Sequence, residues 1–424
     1  MLPRVHLMFR ENGNNGRRGP VFFGWSVAWS AFAIAVFAWG IGFYGPSVFL
    51  QSLHQTRGWP ISQISMAITA HFLLSAIAIV YLPEIHRRLG IAKTTFLGAV
   101  LTAVGLILWS GAREPWQLFA AAIPSGVGWA MTSGAALNAI VARWFDRDRP
   151  IAIALAFNGA SIGGVLFVPM WVWLIRSVGF PSAALLVGGC MVAMVAYLCV
   201  RFLAKSPEDM GLAPDGDASH KAAARPKPRR SRIEIVRSWR FITISAAFSL
   251  GLFAQIGLLA HLVARLAPEL GIEQAGLLVS LATVCAVIGR TAAGRWIGEH
   301  DRRFAAAANF AVQIGGVLLL SFGSGSVGLT LGCVLFGLGI GNLTSLPPLI
   351  VQKEFEREDV ATAVALIIAI NQGVFAFAPA IIGAMRDTTA NYQLPFALIA
   401  LIQLLAAVII LLGRRSARAP ATSP

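Results

Sequence analysis

Twelve long apolar stretches run through this chain, and its acidic residues avoid all of them. They lie near 21–50, 61–83, 92–112, 116–141, 150–175, 181–203, 240–265, 274–294, 304–324, 327–351, 360–385 and 392–413. Crossing the hydrocarbon of a bilayer takes ~20 residues of helix. A chain in lipid must satisfy its backbone polar groups internally, so such stretches read as helices. The expected fold class is an all-α polytopic membrane protein with twelve transmembrane helices. The 19 Asp and Glu side chains fall in connecting segments or at stretch ends. Of the 34 Lys and Arg, only Arg290 lies clearly inside a stretch. One guanidinium in an apolar zone, with no carboxylate beside it, points to a pathway for something negative.

The net charge of +15 invites a nucleic-acid reading, but its distribution excludes one. If the N-terminus is cytoplasmic, the tails and even-numbered loops hold 28 basic residues and the opposite side holds five: Arg57, Arg113, Arg176, Arg265 and Arg386. That is the positive-inside asymmetry. It predicts both termini in the cytoplasm, and the Ala-, Arg- and Gly-rich composition suggests the inner membrane of a bacterium. Trp25, Trp59, Trp116, Trp144, Trp239 and Trp296 stand near stretch ends, as interfacial anchors do. The four cysteines fall inside stretches, which argues against a disulfide framework or a metal site. No cofactor is expected. The partners are the bilayer and a small solute, with protons as candidate coupling ions.

Residues 204–239 break the apolar pattern with a Pro-, Ala- and Arg-rich run that reads as a flexible linker. The expected organisation is a first six-helix bundle with its N-tail at 1–203, the linker at 204–239, and a second bundle with its C-tail at 240–424. An internal repeat supports it. At an offset of 210 residues, Phe145 matches Phe355, Asp146 matches Glu356, Arg147 matches Arg357 and Asp148 matches Glu358. Gly163 then matches Gly373, Pro169 matches Pro379 and Arg176 matches Arg386. Two halves of the same orientation, related by pseudo-twofold symmetry, are the architecture of major facilitator transporters.

Short motifs carry the resemblance further. They are Phe23-Gly24-Trp25-Ser26-Val27, Arg57-Gly58-Trp59-Pro60, Ser206-Pro207-Glu208-Asp209-Met210-Gly211, His261-Leu262-Val263-Ala264-Arg265 and Ile288-Gly289-Arg290-Thr291. Taken in order, they resemble the monocarboxylate transporter and oxalate–formate antiporter branch of the major facilitator superfamily over nearly the whole chain. The resemblance implies a secondary carrier of small carboxylates, with the arginine of the eighth helix binding the substrate carboxylate. The chain also departs from the pattern. In the loop after the second stretch, Pro83 takes a Gly place and Arg87 an Asp place, while Gly90 and Lys93 remain. Glu84 is the candidate to replace the missing acid. The proline of the drug-exporter signature is Gly164 here.

Arg290 is therefore the leading substrate-binding candidate. A guanidinium in hydrocarbon costs at least ~2.5 kcal/mol and usually faces a cavity or a partner. Its fork matches a carboxylate. The bland alternative is an arginine that snorkels to the interface. Asn371, Gln372, Tyr44 and His261 are candidates for orienting the rest of the ligand, against ordinary interhelical hydrogen bonding. The branch's animal monocarboxylate carriers pair their arginine with an Asp four residues earlier, where this chain has Ala286. His261 and His71 are thus the proton-coupling candidates, since imidazoles titrate near neutral pH. Gly90, Gly163 and Gly373, with Glu84, are candidate gating or conformational positions. One cation suits one carboxylate, which favours a monocarboxylate. The competing reading is an exporter of a neutral or larger solute in which Arg290 is structural. An enzyme is not expected, since no paired carboxylates, activated nucleophile or ligand cluster lies within the stretches.

Overall fold

Proline chemistry accounts for two of the four places, among the described residues, where a crossing of this chain breaks. In the computed structural model, which describes residues 22–216, 231–297, 301–356 and 358–417, the first crossing is α1 (Gly24–Gly42) followed by α2 (Gly45–Arg57). Pro46 has no N–H to give the Gly42 carbonyl, and the helix parts there. The same rule splits the eleventh crossing into α15 (Val360–Phe375) and α16 (Ala378–Thr389), because Pro379 cannot donate to Phe375. Two further crossings break at small residues. The fourth parts at Ser133, between α5 (Pro115–Thr132) and α6 (Gly134–Ala142). The tenth parts at Gly341, between α13 (Gly325–Ile340) and α14 (Asn342–Glu354).

The remaining crossings are single helices: α3 (Ile61–Leu89), α4 (Ile91–Gly111), α7 (Arg149–Val178), α8 (Phe180–Leu198), α10 (Trp239–Leu270), α11 (Ile272–Ile297), α12 (Arg302–Phe322) and α17 (Gln393–Ala417). A short α9 (Arg232–Arg237) precedes α10. No strand occurs among the described residues. Eleven of the crossings are long and apolar enough to span a membrane. The twelfth is α5–α6, whose interruption at Ser133 and polar start at Trp116-Gln117 set it apart. The helices form two six-helix bundles, α1–α8 and α10–α17. An even number of crossings leaves the two described ends on one face, called here the end face, with the far face opposite. Most of the expected linker, 217–230, and both tails, 1–21 and 418–424, lie outside the described residues.

Lipid gives helices no hydrophobic reason to associate, so close packing must do it. Gly163 of α7 stands so near α1 that a Cβ would lie 2.5 Å from the Val36 carbonyl oxygen. Gly337 of α13 would meet the Ala282 carbonyl at the same distance. Aromatic rings fill the first bundle, with Phe49 4.9 Å from both Trp171 and Phe180. Trp144, expected at the interface, is instead buried against Phe23, ring centroids 5.2 Å apart. Trp116 and Trp239 are exposed, as anchors should be.

The two bundles meet along a polar seam that starts at the far face. Arg176 at the end of α7 pairs with Glu273 at the start of α11. The Ser62 amide donates to Asp387 Oδ2 at 2.8 Å, and the Ala380 amide donates to Thr69 Oγ1 at 3.1 Å. Ser280 Oγ donates to the Val165 carbonyl at 3.0 Å. Deepest of these is Gln372 Nε2, which donates to Ser75 Oγ at 3.3 Å.

Candidate functional site

Two helix breaks and one arginine meet where the bundles face each other. Arg290 lies on α11, half-buried, and its Nε donates to the Gly341 carbonyl at 3.3 Å. Gly341 is the break between α13 and α14, and its carbonyl also accepts from the Thr344 and Ser345 hydroxyls at 3.1 and 3.3 Å. Only glycine fits there: a Cβ would stand 2.8 Å from Arg290 Nε and 2.7 Å from the Ala286 carbonyl oxygen. Tyr44, at the break between α1 and α2, is buried and within electrostatic reach of the Arg290 guanidinium. Its ring and Thr283 of α11 crowd the same face of Gly164 of α7, each 2.7 Å from where a Cβ would stand. One bundle thus supplies a phenol and the other a cation.

The guanidinium keeps its binding edge. Neither Nη group of Arg290 donates to any described residue, and no described carboxylate pairs with it. A planar fork whose two Nη groups are unengaged among the described residues has the geometry to take a carboxylate in bidentate fashion. In an apolar site such a charge-assisted pair is stronger than in water.

The other sequence candidates fall elsewhere. His261 is fully buried in the seam: the Pro379 carbonyl accepts from Nε2 at 3.0 Å, so Nδ1 accepts from the Tyr392 hydroxyl at 3.1 Å. Ser65 of the first bundle lies 3.4 Å from that Nε2. His71 sits inside the first bundle, with Nδ1 2.9 Å from Ser125 Oγ, beside a cavity of about 30 Å³ lined also by Gly42, Thr102 and Trp109. Asn371 accepts from Ser249 Oγ at 2.7 Å within the second bundle. Gln372 reaches Ser75 across the seam. Glu84 pairs with Arg87 and Arg88 of its own helix, each at 2.5 Å. Gly90 turns the chain between α3 and α4 at φ +80. Gly163 is packed on α1, whereas Gly373 faces open space.

Sequence reasoning missed the Gly341 carbonyl, the Arg290 anchor. A partial signal was present: Gly337-x-x-x-Gly341 inside an apolar stretch marks a helix face that packs closely on a neighbour.

Comparison with known proteins bears on the whole chain. The Major Facilitator Superfamily profile matches residues 28–353 and 253–424. Monocarboxylate transporter 13 of Bos taurus is 25% identical over 387 residues, covering 88% of this chain and 85% of that protein. Monocarboxylate transporter 2 of Homo sapiens is 23% identical over 420 residues, covering 92% and 85%. Among solved structures, a bacterial homologue of the human lysosomal transporter Spinster superposes with a TM-score of 0.72 at 13% identity, covering 95% of this chain and 100% of that one. With this architecture and this match, the chain belongs to the Major Facilitator Superfamily and is a multi-pass membrane transporter that resembles the monocarboxylate transporters.

Proposed function

We propose that the protein is a secondary active carrier for a small monocarboxylate, moved by alternating access between the two bundles. The observation that carries this reading is Arg290: a half-buried guanidinium, anchored by Nε on Gly341, with both Nη groups unengaged among the described residues and Tyr44 of the other bundle within electrostatic reach. The substrate carboxylate bridges the Nη edge and the phenol, so it ties the bundles together when bound. The names of the relatives in the preceding section support the same substrate class. Residues 1–203 and 240–424 rock as two bodies about the 204–239 linker, and the far-face seam opens and closes. The basic asymmetry supports placing the end face in the cytoplasm, and composition supports a bacterial inner membrane.

The test is uptake of labelled acetate, lactate, pyruvate and oxalate into proteoliposomes, with and without an inside-alkaline gradient. Saturable uptake of one monocarboxylate, reduced at least 100-fold by Arg290→Gln, is expected, because a lost charge-assisted bidentate pair costs ~3 kcal/mol or more. A response to the gradient identifies protons as the coupling ion. Uptake that Arg290→Gln leaves intact would make Arg290 structural, and no uptake of any acid would assign a neutral or larger solute.

A further inference from the structure

A helix that breaks in an apolar surrounding leaves its last carbonyls without their usual partners, and each must be satisfied or the break will close. At Gly341, where the backbone keeps helical angles (φ −65, ψ −27), the Gly339 carbonyl accepts from the Gly341 amide, and side chains supply the further partners. Asn342 Nδ2 lies 3.4 Å from the Leu338 carbonyl and donates to Asn309 Oδ1 at 2.9 Å. Asn309 Nδ2 in turn donates to the Gly339 carbonyl at 3.3 Å. Both asparagines are buried, at 9% and 6% exposure for Asn309 and Asn342. They lie 33 positions apart, on α12 and at the start of α14, and among the described residues neither shares a hydrogen bond with Arg290.

We propose that Asn309 and Asn342 are positioning residues: together they hold the tenth crossing broken, so that the Gly341 carbonyl fixes Arg290 in its substrate-binding orientation. The inference rests on the carboxylate reading of Arg290 and extends it one layer outward. If the carboxamides go, the cheapest way to satisfy the 338 and 339 carbonyls is for the regular helical hydrogen-bond ladder to run on through residue 341. That movement carries the 341 carbonyl off Arg290 Nε and frees the guanidinium to swing. The packing leaves little slack, because Gly289 and Ala286 of α11 press on the backbone at 338 and 341.

Asn→Leu changes shape little, which allows stability and positioning to be separated. Asn309→Leu and Asn342→Leu alone each deprive the remaining buried amide of one of its partners, and each lowers the unfolding temperature. The double variant removes both partners and recovers much of that loss, since matched apolar replacement is nearly neutral. Its KM for the best-carried acid of acetate, lactate and pyruvate stays raised about 3–10-fold, the worth of one hydrogen bond in binding. A second readout needs no substrate. Modification of Arg290 by phenylglyoxal, followed by mass spectrometry of its peptide, is expected to run several-fold faster in the double variant than in the wild type. A double variant whose KM recovers with its stability, or whose Arg290 reacts at the wild-type rate, overturns the proposal. If Arg290→Gln leaves KM unchanged, or no acid is carried, the substrate reading fails, and the modification rate decides the positioning role by itself.

Discussion

At the scale of single residues, the site is defined by what glycine lacks. A methyl group on Gly341 has nowhere to go, with the Ala286 backbone on one side and the Arg290 side chain on the other. Gly341→Ala is expected to lower stability by about 1–3 kcal/mol through overpacking. It should also displace Arg290, so uptake falls more than protein yield does. Thermal unfolding and initial uptake rates of the purified variant check this, and a variant with normal transport would show that the anchor is dispensable. Arg290 itself was legible in the sequence because a lone cation in an apolar run is expensive and therefore conspicuous. Its anchor was not, because the carbonyl lies 51 positions away and any residue has a carbonyl. Tyr44 was legible only as a rare residue type, and the bulk of Gly164's neighbours had to be seen in space before its ring could be placed.

At the scale of helices, the end face of the second bundle is tied by charges whose importance the sequence concealed. Arg303, at the start of α12, is 2% exposed and bonds to both Glu354 oxygens, at 2.6 and 2.8 Å, and to Thr243 at 3.0 Å. Read from sequence, residues 303 and 354 lie just outside their apolar stretches and look like solvated ends. The fold brings four such ends together and buries the pair. Asp301 beside them caps α12, accepting from the Arg303 and Phe304 amides at 3.0 and 3.3 Å, and pairs with Arg414 of α17. Partial burial pushes its carboxyl up, but Arg414 and the two amides outweigh that and hold it below its ordinary value of 3.8. A lowered folded-state value means the contribution to stability is present above the unfolded-state value and is lost as pH falls through the folded one. Unfolding temperature is thus expected to hold level from pH 8 to about 5 and to decline below about 4, near the carboxylate range. In Asp301→Asn the neutral-pH value is lower and part of that acid decline disappears. An unchanged acid limb would assign the decline to other carboxylates.

For the whole molecule, twelve crossings, two bundles and the repeat were readable because apolar length and a fixed offset survive in one dimension. The seam was not, because it is made of serines, threonines and carbonyls that any helix carries. Yet in the proposed alternating-access cycle it is the seam that decides which face gives access to Arg290. Its tightest point is Gly383 of α16, where a Cβ would lie 2.6 Å from Ser65 Oγ and 3.3 Å from the Ser62 Cα. A leucine there cannot be absorbed by rotating one flexible side chain, because part of what it meets is backbone. Gly383→Leu is therefore expected to wedge α3 from α16 and shift the protein toward a far-face-open arrangement. Thr69, 7% exposed behind that point, reports on it. In a cysteine-free background, Thr69→Cys should react slowly with a membrane-impermeant thiol reagent from the far face, and several-fold faster once Gly383→Leu is added. Substrate uptake should fall in the same variant, since a carrier held in one arrangement cannot complete a cycle and a shift from 1:99 to 99:1 takes only ~5.5 kcal/mol. Faster labelling with unimpaired uptake would mean that the seam is a passive contact, and that access to Arg290 is governed elsewhere between the bundles.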